Sequence, residues 1–281
     1  MTEFIDSSPI SADLPRSPRY PDLVTTELLR NLGSDPVRLV ALEAVHNFRD
    51  LGGYQTADGR VTLWRTLFRA DGLYRLTPTD VVTLEPLGLQ TVIDLRSDTE
   101  LDERGRFPVD AHPVVFHHLP IVDSTWADLD RPVYERDEDF LIWAYQEMLS
   151  VGAPRFAKAF VALAEPGALP AVFHCAAGKD RTGLLAALLL GSLGVSHDDI
   201  VADYELTVEG MARFRAWADR EWPEWAARMA SMPKAFGAAL PEAMREIIDE
   251  LSAQHGSIRN YVRSIGVSDD TLATLESVLL G

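Results

Sequence analysis

Residues 170–183, Pro-Ala-Val-Phe-His-Cys-Ala-Ala-Gly-Lys-Asp-Arg-Thr-Gly, carry both the topology and the chemistry of this chain. The apolar run from Ala171 to Phe173 predicts a short buried strand, and the small residues after it predict a tight loop. Leu184-Leu-Ala-Ala-Leu-Leu-Leu190 then predicts a helix. At the junction stands Cys175, the only cysteine in 281 residues. A thiol placed there meets the positive end of a helix and a ring of backbone N–H groups. That is an anion site with a nucleophile at its centre.

Outward from this stretch, strand and helix patterns alternate. Segments 39–45, 61–68, 91–95 and 114–119 predict strands. Residues 46–54, with Asn47, Gly52 and Gly53, predict a turn, and Leu76-Thr-Pro-Thr-Asp80 predicts a capped helix start. Helices are predicted at 22–32, 137–150 and 154–165, and beyond 197 the pattern is helical throughout. The whole predicts an α/β fold: a mostly parallel central sheet flanked by helices, with a helical C-terminal part. No composition break divides the chain, so one domain over 1–281 is expected, with 1–38 as a flexible lead-in.

The charge balance, 26 Lys and Arg against 43 Asp and Glu for a net −17, argues against nucleic acid or an anionic membrane as a partner. An anionic substrate must be drawn in by a local basic site. One cysteine excludes an internal disulfide. The first residues lack a basic and apolar leader pattern, and no apolar run reaches spanning length. A monomer in the cytoplasm, or secreted without a cleavable signal, is expected.

Five residues separate Cys175 from Arg181. A loop of that length can curl so that the N–H groups of Ala176, Ala177, Gly178 and Lys179 face the oxygens of one phosphoryl group. The Arg181 fork can bind two of those oxygens at once. The helix dipole and the same donors favour the thiolate as nucleophile. His174 is placed to orient the loop by a hydrogen bond, and the Thr182 hydroxyl to steady the departing thiolate. No metal or other cofactor is called for. Three other readings are weaker. A nucleotide-binding P-loop fails because Asp180 stands where Ser or Thr is needed. Against a phosphate-recognition module without turnover stand an intact Cys175 and Arg181 together with a candidate acid. Sulfur transfer of the rhodanese type gives no reason for the string His-Cys-x5-Arg-Thr.

The stretch resembles the signature of cysteine-dependent protein tyrosine phosphatases, in the Cys-x-x-Gly-Lys-Asp-Arg form of an atypical bacterial branch. Asn47-Phe-Arg-Asp-Leu-Gly-Gly53, Leu67-Phe-Arg-Ala-Asp71, Asp94-Leu-Arg-Ser97 and Ile200-Val-Ala-Asp-Tyr204 are similar to the same branch, so the likeness covers most of 45–281. The resemblance implies a phosphocysteine intermediate and a general acid on a loop after a strand. Asp123, in His118-Leu-Pro-Ile-Val-Asp123, is the expected acid, with Asp128 and Asp130 nearby and Asp180 as the other contender. Phosphotyrosine is the expected substrate group, with phosphoserine, phosphothreonine and phosphoinositides open. Lys179 is either a solvated loop residue or a second cation for substrates with further phosphates. Arg69 and Arg96 follow strand runs and are read as ligand contacts or as ion-pair partners of Asp71 or Asp94. The family also implies a helical lid at 205–240, where Met211, Phe214, Trp217, Trp222, Trp225, Met229, Met232 and Phe236 gather; core packing is the plainer use for most of them.

Overall fold

The computed structural model describes residues 38–123, 134, 136–230 and 234–281. Nearly all of the expected lead-in, the helix at 22–32, and Asp128 and Asp130 thus lie outside the described residues. The strands are β1 (Arg49–Asp50), β2 (Leu67–Ala70), β3 (Thr91–Asp94), β4 (Val115–His118) and β5 (Ala171–His174), in the spatial order β1-β2-β5-β3-β4. β1 runs antiparallel to β2, and the other pairs are parallel. The expected mostly parallel sheet is present, with β5 at its centre.

The helices are α1 (Pro78–Leu84), α2 (Asp98–Arg104), α3 (Asp137–Val151), α4 (Ala153–Ala164), α5 (Asp180–Ser192), α6 (His197–Glu205), α7 (Thr207–Glu221), α8 (Pro223–Ala230), α9 (Lys234–Gly237), α10 (Pro241–His255), α11 (Ile258–Ser264) and α12 (Asp269–Leu279). Alternate strand residues face opposite layers. Ile93, Ala171 and Phe173 join the larger core with α3, α4, α5 and α10, while Phe68, Val92 and Val172 join a smaller one with Val45, Phe48 and Leu84. Burial of Leu184 through Leu190 on every side explains why α5 has no polar face.

Two strand expectations are corrected. Segment 39–45 forms only a single bridge, Leu39 to Arg49. Farther along this loop, backbone N–H groups go to carboxylates: Glu43 and Ala44 donate to Asp80, and His46 and Asn47 donate to Asp71. Those four N–H groups are thus not available to a strand neighbour. Segment 61–68 is broken at Arg65, whose φ of 59° lies in the left-handed region, so β2 begins only at Leu67. Before the break, Val61 and Leu63 pair with the end of the chain: Val61 exchanges N–H···O bonds with Gly281, and the Leu63 N–H donates to Leu279 O. Conversely, the predicted turn contains β1.

Candidate active site

The shared register of β2, β5 and β3 brings Asp71, Cys175 and Leu95 side by side at the carboxyl edge of the sheet. Open parallel sheets bind ligands at that edge. Cys175, 2% exposed, opens a loop that ends where α5 begins at Asp180. Gly178 has a φ of 65°, and a Cβ built there would lie 2.5 Å from Ala70 O and 2.8 Å from Asp71 N. The loop therefore rests on the backbone just past β2 with no room for a side chain.

Arg181 lies in the first turn of α5 and gives one N–H from each amino group to Glu100: Nη1 to Oε2, and Nη2 to Oε1 at 3.1 Å. Glu100 is itself fixed by a capping box, accepting from Ser97 N at 2.9 Å while its own N–H donates to Ser97 Oγ at 3.2 Å. Burial disfavours the Glu100 carboxylate, but Arg181 and the Ser97 N–H outweigh it and hold its pKa at about 2. Burial likewise opposes the Arg181 charge, yet Cys175 and Glu100 raise its pKa above the usual arginine value. The cation is permanent.

Behind the loop, Arg49 and Arg69 share the carboxylate of Asp203 at 3.0 and 2.6 Å, all three nearly inaccessible to water. Burial would raise the Asp203 pKa, but the two guanidiniums drive it below the carboxylate range. Burial and Arg49 lower that of Arg69 to about 10. Arg96 instead closes on Asp94, donating from Nε at 2.9 Å and Nη2 at 2.5 Å, and it also holds Gly105 O at 2.8 Å. Asp71 accepts from Arg75. Of the two ion pairs weighed from the sequence, Arg96 with Asp94 is present, and Arg69 pairs with Asp203 in place of Asp71.

The remaining predicted residues are distributed as follows. His174 is fully buried, its Nδ1 3.2 Å from Cys175 O and its Nε2 3.5 Å from Asp94 Oδ2. Burial lowers its pKa against the pull of Asp94, which favours the neutral ring. Thr182 is buried, and its hydroxyl has no protein partner among the described residues. Asp180 accepts from Tyr145 OH at 2.8 Å and lies 3.3 Å from Lys179 Nζ. Lys179 is no solvated loop residue: it is 1% exposed and donates to Ala235 O at 2.5 Å and Ala238 O at 3.0 Å. Asp123 is 81% exposed on its side chain and 3.9 Å from Arg155, at the edge of the undescribed 124–133. Among the described residues no group of three or more His, Cys, Asp or Glu could hold a metal ion, and no helix is long and apolar enough to cross a membrane.

A thiol and an arginine in a strand-loop-helix turn at the carboxyl edge of a parallel sheet define a cysteine-dependent phosphatase architecture. The model of the tyrosine phosphatase family matches residues 40–281, and the chain belongs to that family. It is a phosphatase acting on phosphorylated substrates. The triple specificity protein phosphatase PtpB of Mycobacterium tuberculosis is 31% identical, over 85% of this chain and 98% of its own length. A Cupriavidus necator relative assigned to the tyrosine-protein phosphatases is 32% identical, over 80% of this chain and 82% of its own. Among solved structures, the catalytic core of a yeast PP-IP phosphatase superposes with a TM-score of 0.35 at 15% identity, covering 69% of this chain and 98% of that one; no inference rests on so loose a likeness.

Sequence reasoning gave Glu100 no role at the site; it read Asn47 only as a turn residue and within a family-like string, and Asp203 only within another such string. The signal for Glu100 was available: Ser97-x-x-Glu100 is a capping box that begins a helix directly after a strand. What the box does not reveal is that the same carboxylate reaches across to Arg181.

Proposed function

We propose that this phosphatase cleaves phosphate monoesters through a phosphocysteine on Cys175, with phosphotyrosine as the main substrate group and phosphoserine, phosphothreonine and phosphoinositides admitted. The observation that carries the reading is Cys175 at the end of β5, in one short loop with an Arg181 fork already oriented by Glu100. The thiolate sulfur attacks phosphorus as the ester P–O bond breaks, and the leaving oxygen takes a proton from a general acid. Water then attacks phosphorus and gives a proton back to the same group, the P–S bond breaks, and the thiolate and inorganic phosphate are released. Arg181 and the loop N–H groups stabilise the equatorial oxygens in both steps.

Asp123 is proposed as the acid. Its exposure leaves it free to reach a leaving group, whereas the Asp180 carboxylate is engaged by Tyr145 and Lys179. The wider substrate range is supported by the description of the M. tuberculosis relative as a triple specificity phosphatase. The contacts of Lys179 favour a holding role toward residues 235–238 over a second phosphate contact; they also support a covering role for the 205–240 segment. A monomer remains part of this reading.

The test is para-nitrophenyl phosphate hydrolysis with EDTA present. Wild type should turn over and Cys175→Ser should not. An inert wild type, or an active variant, sinks the reading. With Asp123→Asn, phosphotyrosine turnover should fall further than that of the nitrophenyl ester, whose leaving group hardly needs the proton; a loss of this pattern seen only in Asp180→Asn would reassign the acid.

A further inference from the structure

Three consecutive carbonyls of the loop are bound from behind. Gly72 N donates to Ala176 O at 3.1 Å. The Asn47 side-chain amide Nδ2 donates to Ala177 O and to Gly178 O, each at 3.2 Å. Arg69 Nη2 donates to Gly178 O at 2.8 Å. In a trans peptide the N–H of the next residue points opposite to the carbonyl. Bonding these carbonyls therefore turns the N–H groups of Ala177, Gly178 and Lys179 the other way. The N–H groups of Ala176, Ala177 and Gly178 donate to nothing among the described residues. Each such orphan costs about 1–3 kcal/mol when buried, so the arrangement suits a place where a ligand supplies the acceptor.

The donors are held by a second tier. Arg49 Nη1 donates to Asn47 Oδ1 at 2.5 Å, which fixes the amide so that Nδ2 faces the loop. Arg49 is gripped by Asp203, through Nε to Oδ1 at 3.0 Å and Nη2 to the backbone O at 2.8 Å, and by the Thr207 hydroxyl at 3.2 Å. Arg69 reaches the same carboxylate through Nη1 at 2.6 Å. Tyr54 OH donates to Asp203 Oδ1 at 3.0 Å. Two guanidiniums against one carboxylate leave a net positive charge behind the loop. Gly210 of α7 admits this assembly, since a Cβ there would meet Asn47 Oδ1 at 2.6 Å.

We propose that Asn47 and Arg69, set in place by Arg49 and Asp203, are positioning residues for the phosphatase reaction: they hold the loop carbonyls outward so that its N–H groups converge on the phosphoryl group. The proposal rests on the reading of the Cys175 loop as the phosphate site. It adds four residues, none of which needs to touch substrate.

The experiment compares alkylation of Cys175 by iodoacetate and by neutral iodoacetamide. Both reagents share one path to the thiol, so their rate ratio reports how well the loop attracts an anion and is insensitive to general loosening. Asn47→Ala removes the amide donors, and Arg69→Lys keeps the charge while breaking the fork. In each, the iodoacetate preference and the affinity for inorganic phosphate as competitive inhibitor should fall about tenfold, the effect of one or two lost hydrogen bonds. Thermal unfolding checks that the variants are folded, and if one is not, the other decides. A folded variant whose ratio and phosphate inhibition stay within about twofold of wild type, less than one hydrogen bond is worth, overturns the proposal. Failure of phosphate to protect wild-type Cys175 from either reagent would instead overturn the phosphate-site reading itself.

Discussion

Two arginine–carboxylate assemblies flank the Cys175 loop, and they are built for opposite ends. In front, Arg181 gives Glu100 two of the five N–H donors of a guanidinium and has no other bonded partner among the described residues. Behind, Arg49 and Arg69 direct their amino groups to Asp203, Asn47, Thr207 and Gly178 O, and of their nitrogens only Arg69 Nε lacks a partner among the described residues. The front pair is about a tenth exposed on both side chains, the rear assembly 3% or less. The contrast teaches that one ion pair can orient a cation and leave it available, while another consumes its cations to fix a backbone. Buried pairs of the second kind contribute little net stability as pairs but cost heavily when split.

Substitutions can break this comparison. The largest effect is expected from Arg181→Lys: the ammonium cannot reproduce the fork, and kcat/KM for aryl phosphates should fall about 10²–10³-fold with the unfolding midpoint little changed. A loss under tenfold would place the fork outside the transition state. Asp203→Ala should act chiefly on the fold. It strands two buried guanidiniums and should lower the stability in urea by roughly 3–5 kcal/mol; an unchanged urea midpoint would show that the rear assembly is not the structural one.

Glu100→Gln sharpens the front half through pH. The folded carboxyl titrates at about 2 against an ordinary 4.5. Its proton is bound less readily in the folded chain, so the stabilisation is complete above about 4.5 and fades as pH falls toward 2. Wild type should therefore lose up to roughly 3 kcal/mol more than Glu100→Gln across that window. Parallel pH profiles of the two proteins would show that Arg181 does not set the Glu100 carboxylate.

Much of this was legible in the chain because it follows local rules. The signature 170–183 gave strand, loop and helix together, since an apolar run, small residues and a leucine-rich stretch each have one favourable conformation here. The parallel sheet followed from the alternation around it. The 39–45 segment escaped because the N–H groups of Glu43 and Ala44 go to a carboxylate, Asp80, placed by a different part of the fold, and those of the next residues, His46 and Asn47, go to Asp71. Arg69 was pointed at Asp71 by proximity in sequence, but the ion pair formed is with Asp203, 134 residues away. The setting of Lys179 was hidden for the same reason, since the carbonyls it binds belong to residues 56 and 59 positions later. Long-range polar partners leave no periodic trace.

Lysine is scarce here. Lys158, Lys179 and Lys234 are the only three, so the remaining 23 of the 26 basic residues are arginines. The Lys179 amine, enclosed by the carbonyls of Ala235 and Ala238, is thus one of very few reactive amines and is shielded by the segment from α9 to Ala238. Any excursion that parts this segment from the loop uncovers the amine. Its rate of acylation by a dilute amine reagent, read by mass spectrometry, becomes a clock for that excursion that needs no engineered probe.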